Sequence, residues 1–398
     1  MAFDWIERYV ELTSELRSPE IFRRWSAITT IGAVLERRVW SIGVGGKIYP
    51  NIFTLLVGPP ASGKNEAIKP LRDLVISLGE SFRLAPDNVT RPSLIKHLMT
   101  AAKIIPNSKG EFYSPLFVSV PEFGVFFSTY DFSFLSNINY LFDCPDVYDE
   151  ERVTDDGKNN RHVERPSLVI LAGTQPDALA SFLPEQAWGM GFTSRLIMVY
   201  APRPEPGNIL GSRTQDYTSL RLPLRNIYNL NGPCTWTDDA FEALNQWNRD
   251  SCPPVPTHHR LQHYNGRRSL YVIKLAMISA ASERCERIIT LSDYERAKKW
   301  LLDIETKIPD IFKAMNQQGD NQIILDLHHH CYRIWAALPP EKRHPIPRKT
   351  LSQFLYRLVP SERINRIIDT SVDAGVFKRG KYPDEFIPQL ITEVFDFE

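Results

Sequence analysis

Apolar residues recur at helical spacing through Trp5, Tyr9, Leu12 and Leu16, and Ser18-Pro19-Glu20 signals the start of a second helix over Ile21 to Leu35. The period then changes. Val39 to Val44, a Gly45-Gly46 turn and Tyr49 to Val57 predict a short hairpin feeding a buried strand, Ile52 to Val57. Ala67, Ile68, Leu71 and Leu74 restore helical spacing between Asn65 and Leu78, where Pro70 is a potential kink. Another helix is expected between Pro86 and Ala102, with Asn88, Thr90 and Ser93 as cap candidates. Continuous apolar runs at Leu116–Val120, Leu168–Ala172 and Leu196–Tyr200 predict three more buried strands. Strands separated by helical segments give an α/β fold with a parallel sheet, whose ligands sit at the carboxyl ends of the strands.

The proline-rich stretch Pro202–Pro206 marks the expected end of that core. From Ser219 to Ile311 the pattern is helical, clearest at 240–247, 269–282 and 292–304. After Asp320 come another helix, the segment Pro345-Ile-Pro-Arg-Lys-Thr-Leu, two short helices and the turn-rich Lys378-Arg-Gly-Lys-Tyr-Pro. That is the outline of a winged helix. The expected organisation is an N-terminal helical region at 1–44, an α/β core at 45–205, a helical lid at 206–318 and a winged-helix-like domain at 319–398.

At 398 residues and 43% apolar content the chain exceeds the size of one ordinary hydrophobic core. Lys plus Arg equals Asp plus Glu at 47 each, which excludes a uniformly basic coat and leaves nucleic-acid contact to local clusters. The opening segment lacks a signal pattern and no apolar run reaches membrane length, so the expectation is a cytoplasmic protein without membrane association. The cysteines at 144, 234, 252, 285 and 331 form no C-x-x-C pair, and adjacent His328, His329, His330 and Cys331 cannot converge from one helix. No metal ligand set of protein side chains is expected.

The richest chemistry lies in Gly58-Pro-Pro-Ala-Ser-Gly-Lys64, which fits G-x-x-x-x-G-K between a buried strand and a helix. Glycines at 58 and 63 let the loop amides around Ser62 converge on phosphate oxygens, and Lys64 adds a point charge. The helix start adds partial positive charge. Asn65 occupies the position where a hydroxyl would normally meet magnesium, and its amide is a poorer ligand. Nucleotide binding is therefore better supported than hydrolysis.

Glu122, following strand 116–120 in Pro121-Glu122-Phe123-Gly124, is placed to orient or deprotonate an attacking water; the alternative is a solvated loop glutamate. Pro121 stands where an aspartate would commonly hold magnesium. Thr174 or Gln175, after strand 168–172, could sense the γ-phosphate or simply make a turn. Arg195, just before strand 196–200, suits an arginine finger supplied to the next subunit's site, which implies a ring; the alternative is a surface ion pair.

Three basic regions remain. Between the second and third of these strands, an Asp156-Gly157 turn signal places Lys158 at a hairpin tip with Arg152 and Arg161 on the arms. In a ring these would face a central channel and follow a single strand, although nearby acids weaken the field. Residues 257–274 carry Arg260, Arg267, Arg268 and Lys274 without an acid, so Arg267 or Arg268 could be a second phosphate sensor. Residues 342–381 hold ten Lys or Arg against Glu362, Asp369 and Asp373. Arg363 and Arg366 fall on the third helix of the winged-helix outline, and Lys378, Arg379 and Lys381 on its wing, a disposition suited to DNA.

The segments Val57-Gly-Pro-Pro-Ala-Ser-Gly-Lys64, Ser119-Val-Pro-Glu-Phe-Gly124, Leu171-Ala-Gly-Thr-Gln-Pro176, Gly191-Phe-Thr-Ser-Arg-Leu196 and Tyr271-Val-Ile-Lys-Leu-Ala-Met277 together resemble a family of phage and mobile-element P-loop ATPases of the AAA+ type, similar to replicative helicases. The resemblance spans roughly residues 20–310. It implies a P-loop NTPase core with N-terminal helices and a helical lid, and the last eighty residues, read above as a C-terminal winged helix, match the family only in outline. It also implies a homo-oligomer, a hexamer by its usual count, that uses ATP and magnesium on DNA held single-stranded in its channel, with Lys64, Glu122, Thr174 and Arg195 in the roles above. Asn65 and Pro121 depart from the wider pattern. The rival is a nucleotide-stabilised scaffold or helicase loader with little hydrolysis; a small-molecule kinase would lack the lid and the basic C-terminal end.

Overall fold

The computed structural model describes residues 3–87, 89–106, 108–125, 132–154, 157–183, 188, 191–207, 216–359 and 361–389. The chain is mixed α/β and forms two compact units, Met1–Phe312 and Lys313–Glu398.

In the first unit, helices α1 (Trp5–Leu12) and α2 (Glu20–Leu35) lead into β1 (Val39–Gly43), β2 (Gly46–Ile48) and β3 (Phe53–Val57). Then follow α3 (Lys64–Ile76), α4 (Arg91–Thr100), β4 (Lys103–Ile104), β5 (Phe112–Val120), α5 (Phe132–Phe142), β6 (Val147–Thr154), β7 (Gly157–Glu164), β8 (Pro166–Thr174), α6 (Pro176–Phe182) and β9 (Leu196–Tyr200). The main sheet has the order β4-β5-β8-β3-β9. Its four long strands are parallel, with Val57 level with both Thr174 and Tyr200, and Val120 level with Ala172. Their carboxyl ends therefore share one edge. Outside β5, β4 adds antiparallel pairs and Leu84 a single parallel bridge to Phe117.

Every residue of β3 and β8 is buried, as central strands covered on both faces must be. Helix α2 covers one face; Phe22, Trp25, Ile28, Ile31 and Val34 are wholly buried, and Thr29 Oγ1 donates to Thr54 Oγ1 at 2.7 Å. Asp4 caps α1 by accepting from the amides of Ile6 and Glu7. The hairpin is shorter than its sequence suggests. Its return arm stops at Ile48, and Phe53–Val57 pairs instead with β8 and β9, because Pro50 interrupts the run and has no N–H for a ladder. Of the α4 cap candidates, Thr90 takes the N-cap position without a side-chain cap bond, and position 88 lies outside the described residues.

Downstream, helices Thr218–Tyr228, Asp238–Arg249, Arg268–Arg284 and Leu291–Glu305 form the helical part of this unit. A capping box of Thr290 and Asp293 starts the last of them. The buried Arg268 guanidinium grips the Glu305 carboxylate at 2.7 and 2.6 Å and the Pro254 carbonyl at 2.8 Å, which fixes two of these helices together.

The second unit begins within helix Ile308–Ala336 and continues through strand Ile346–Pro347, helices Arg348–Leu355 and Ser361–Asp373, and strands Phe377–Arg379 and Glu385–Pro388. The first strand and the last two form one antiparallel sheet with Glu385–Pro388 at its centre. Leu327, Cys331, Leu351, Leu355, Ile367 and Phe386 are completely buried at its heart. His328 Nε2 lies 2.8 Å from the Gln389 carbonyl, so this histidine has a structural partner. Among the described residues no helix is long and apolar enough to cross a membrane.

Candidate functional site

Strand β3 ends at Val57, the chain turns through residues 58–63, and α3 begins at Lys64. The Gly58 amide donates to the Thr174 carbonyl at 3.2 Å, anchoring the loop to the neighbouring strand end. Gly63 adopts φ +84°, a conformation glycine takes without strain. Lys64 is 8% exposed, and its ammonium donates to the Gly58 and Pro59 carbonyls, each at 2.7 Å, and to Ser62 Oγ at 3.1 Å. The lysine thus folds back over its own loop. Burial holds its pKa below the ordinary lysine value, with the nearby Glu122 charge opposing. Asn65, one residue on, is exposed.

Glu122 follows β5 and is half-buried at the same edge. Burial pushes its carboxyl above the usual glutamate range while the Lys64 charge pulls it back. The mutual influence places the two groups within one electrostatic neighbourhood. Arg72 on α3 donates to the Ser119 carbonyl and pairs with Asp87 at 2.5 Å, tying the helix after the loop to the strand before Glu122. Gly173 lets these parts meet: a Cβ there would stand 2.5 Å from the Pro121 carbonyl oxygen and 3.3 Å from Lys64 Cδ. Thr174 is buried at the end of β8, its hydroxyl donating to the Gln175 carbonyl at 3.4 Å, and Gln175 occupies the N-cap of α6. Lys64, Glu122, Thr174 and Gln175 therefore share the carboxyl edge.

Arg195 does not join them. It precedes β9, at the amino end of the sheet, and a five-residue strand separates the two edges by about 16 Å. Its guanidinium donates to the Gly191 carbonyl at 3.0 Å and to Asp143 Oδ2 at 2.6 Å. Arg267 reaches the other oxygen of Asp143 at 3.3 Å, so the structure groups Arg267 with Arg195 rather than with the Lys64 loop. Arg268, the other sensor candidate, is fully buried and paired with Glu305.

Beside the loop lies a cleft of about 1400 Å³ that the sequence did not reveal. The start of α2 (Ile21, Trp25), the exit of β9 (Ala201 to Gly207) and the helix carrying Arg296, Lys299 and Trp300 line it. The Ala201 amide donates to the Val57 carbonyl at 3.2 Å, so one lining residue of this cleft adjoins the strand end that leads into the loop. Cations (Arg17, Arg24, Lys299, Lys307) and acids (Glu7, Glu20, Asp303) share its lining, whereas the rings of Trp25 and Trp300 are buried, a polar character that suits a hydrophilic ligand better than an apolar one. The only sequence signal was Pro202–Pro206, which reads as a domain boundary and is in fact a wall of the cleft.

Of the nucleic-acid candidates, the β6–β7 ladder runs from Val147 with Glu164 to Thr154 with Gly157. The Lys158 backbone pairs with Val153 next to that end, but its side chain and positions 155–156 of the expected turn lie outside the described residues. Arg161 pairs with Glu150 at 3.5 Å. In the second unit Arg363 and Arg366 both turn to Asp320, the latter at 3.3 Å, and Arg379 pairs with Asp369 at 3.0 Å. Lys378 is exposed on the hairpin.

No protein-family model and no curated protein matches this chain.

Proposed function

We propose that the chain is a ring-forming, ATP-dependent DNA-binding motor with a P-loop NTPase core of the AAA+ type, serving as a replication helicase of a phage or mobile element. The observation that carries this reading is the division of chemistry between the two ends of one sheet. Lys64, Glu122 and Thr174 gather at the carboxyl edge, whereas Arg195 stands at the amino edge, about 16 Å from its own loop. An arginine so placed serves a neighbouring copy, and repeated head-to-tail contacts of this kind close into rings, with six as the expected number.

In the proposed cycle the loop amides and Lys64 bind the β- and γ-phosphates, displacing the Lys64 ammonium from the Gly58 and Pro59 carbonyls. The cleft between the start of α2 and the exit of β9 takes the nucleoside. Glu122 accepts the proton of the attacking water, and Thr174 or Gln175 orients that water from the adjacent strand end. Arg195, joined by Arg267 from the same edge, neutralises charge on the transferring phosphoryl group of the neighbouring copy. Magnesium would neutralise phosphate charge, with the Asn65 amide oxygen as the protein ligand nearest the loop.

The sheet order with β3 between β8 and β9 supports the AAA+ reading. In the second unit, a helix, a short strand, two helices and a hairpin whose last strand pairs with the first support a winged helix. Its cationic hairpin suits a DNA backbone, and the β6–β7 hairpin would follow a single strand in the channel.

One observation favours a second reading. Exposed Asn65 and Pro121 leave the metal with few protein ligands, as expected of a helicase loader or scaffold that binds ATP to hold a ring without fast turnover. Phosphate release from ATP, magnesium and single-stranded DNA separates the two. The motor releases phosphate above background and loses this in Lys64→Ala; the scaffold shows background release in both proteins while ATP still drives assembly of wild type.

A further inference from the structure

The amino edge of the sheet holds an arrangement that the ring reading does not by itself require. Asp143, directly after α5, receives Arg195 on one carboxylate oxygen at 2.6 Å and Arg267 on the other at 3.3 Å. The two arginines come from positions 72 residues apart, and both are mostly covered, with side chains 14% and 25% exposed. Asp143 itself is about half exposed at 45%. One carboxylate on two guanidiniums leaves a net positive charge at this point, open to solvent on one side.

The surroundings hold that carboxylate in place. Asn51, just before β3, donates from Nδ2 to the Phe142 carbonyl at 2.8 Å and so fixes the turn that presents Asp143. Lys274 donates to both oxygens of Asn51, at 2.8 and 2.6 Å. Tyr271 donates to the Ser194 carbonyl at 2.8 Å, one residue from Arg195. Arg267, Tyr271 and Lys274 lie on one helix face at i, i+4 and i+7, so the first two turns of the lid helix are clipped to the edge that bears Arg195. Gly191 completes the support. Its φ of +80° turns its carbonyl to Arg195, and a Cβ there would stand 3.0 Å from the same guanidinium.

We infer that Asp143 is a positioning residue of the inter-subunit catalytic edge: it holds Arg195 and Arg267 side by side so that they enter the neighbouring copy's phosphate site as a pair. This rests on the ring reading above. Asp143 touches no phosphate in this account. Its carboxylate sets the spacing of the guanidiniums before the neighbour arrives, and orientation fixed in advance costs nothing at the moment of reaction. Removing the charge while keeping the shape therefore affects turnover more than nucleotide affinity, because the neighbour's own loop supplies most of the binding.

The test uses the full-length chain. Asp143→Asn is expected to lower kcat for DNA-stimulated ATP hydrolysis roughly tenfold with KM for ATP changed by less than about twofold, and Asp143→Glu to recover part of the loss. Added to the Arg195→Ala, Arg267→Ala double variant, Asp143→Asn is expected to bring no further loss, since it acts through those two groups. Mixing Asp143→Asn with Lys64→Ala subunits is expected to give more activity than either alone: the first lends an intact loop and the second an intact edge. Complementation also shows that the Asp143→Asn chain is folded. If the wild-type ring binds ATP without turnover, the same comparisons are read in the ATP concentration for half-maximal assembly. Wild-type kinetics in Asp143→Asn, a further loss on top of the Arg195→Ala, Arg267→Ala double variant, or mixtures no better than their parts would overturn the assignment while leaving the ATPase reading intact. A wild-type chain that binds no ATP at all would reject both.

Discussion

The Cα of Ser18 lies 2.5 Å from the point where a Cβ on Gly63 would stand. The segment entering α2 is thus packed directly on the last turn of the loop. It is held there by the buried Arg23, whose Nε donates to the Ser18 carbonyl at 3.0 Å and whose Nη1 donates to the Val10 carbonyl at 2.7 Å. The loop's shape is consequently imposed from outside as well as by its own glycines.

Gly63→Ala is expected to lose ATP binding and to destabilise the fold by about 1–3 kcal/mol, because both the left-handed backbone and the Ser18 contact exclude a methyl group. Calorimetric titration with ATP and chemical denaturation check the two parts separately. Unaltered binding by this variant contradicts the loop geometry.

Glu122 gives a pH signature. A general base works ionised, and burial has raised this carboxyl above the ordinary glutamate range, so turnover falls as pH drops through that raised value. The acid limb of kcat/KM should therefore lie at higher pH than a solvated glutamate would give. Glu122→Gln should cost roughly 100-fold or more in kcat with ATP binding retained, and an unchanged rate would assign the base elsewhere.

Much of the core was legible because its strands are covered on both faces. Leu168–Ala172 and Leu196–Tyr200 read as unbroken apolar runs, and both lie within observed strands. The loop was legible because its chemistry is local. The cleft walled by Trp25, Ala201 and Trp300 was not, since its sides come from three distant segments. Asp143 was equally invisible: a single acid between Phe142 and Cys144 carries no pattern until folding brings Arg195 and Arg267 to it. The Leu84 bridge is one residue long, too short for any periodicity.

Lys274 is fully buried on Asn51, and burial lowers its pKa to about 8. In the unfolded chain it titrates near 10.4, so between pH 8 and 10 the unfolded state binds the extra proton and this group's contribution to stability rises with pH. Lys274→Met lacks that gain. The stability of the variant relative to wild type should therefore decline by about 2 kcal/mol from pH 8 to pH 10, measured by urea unfolding. A difference independent of pH would show that Lys274 does not titrate in this range.

The second unit's hairpin carries Lys378 and Lys381 in exposed positions, whereas Arg363 and Arg366 are drawn to Asp320. Lys378→Ala and Lys381→Ala should each weaken DNA binding to a similar degree on unrelated sequences, and each should reduce the slope of log K against log salt by about 1. Fluorescence anisotropy across a salt series checks this; a sequence-dependent loss would point to base contacts instead.

The most direct measurement is equilibrium binding of ATP to the purified chain. The Lys64 loop is expected to bind one triphosphate per chain saturably, with Lys64→Ala reducing affinity by at least about 100-fold, the loss of a charge-assisted phosphate contact in a buried site. Saturable binding that survives Lys64→Ala, or no binding by the wild type, would contradict the account.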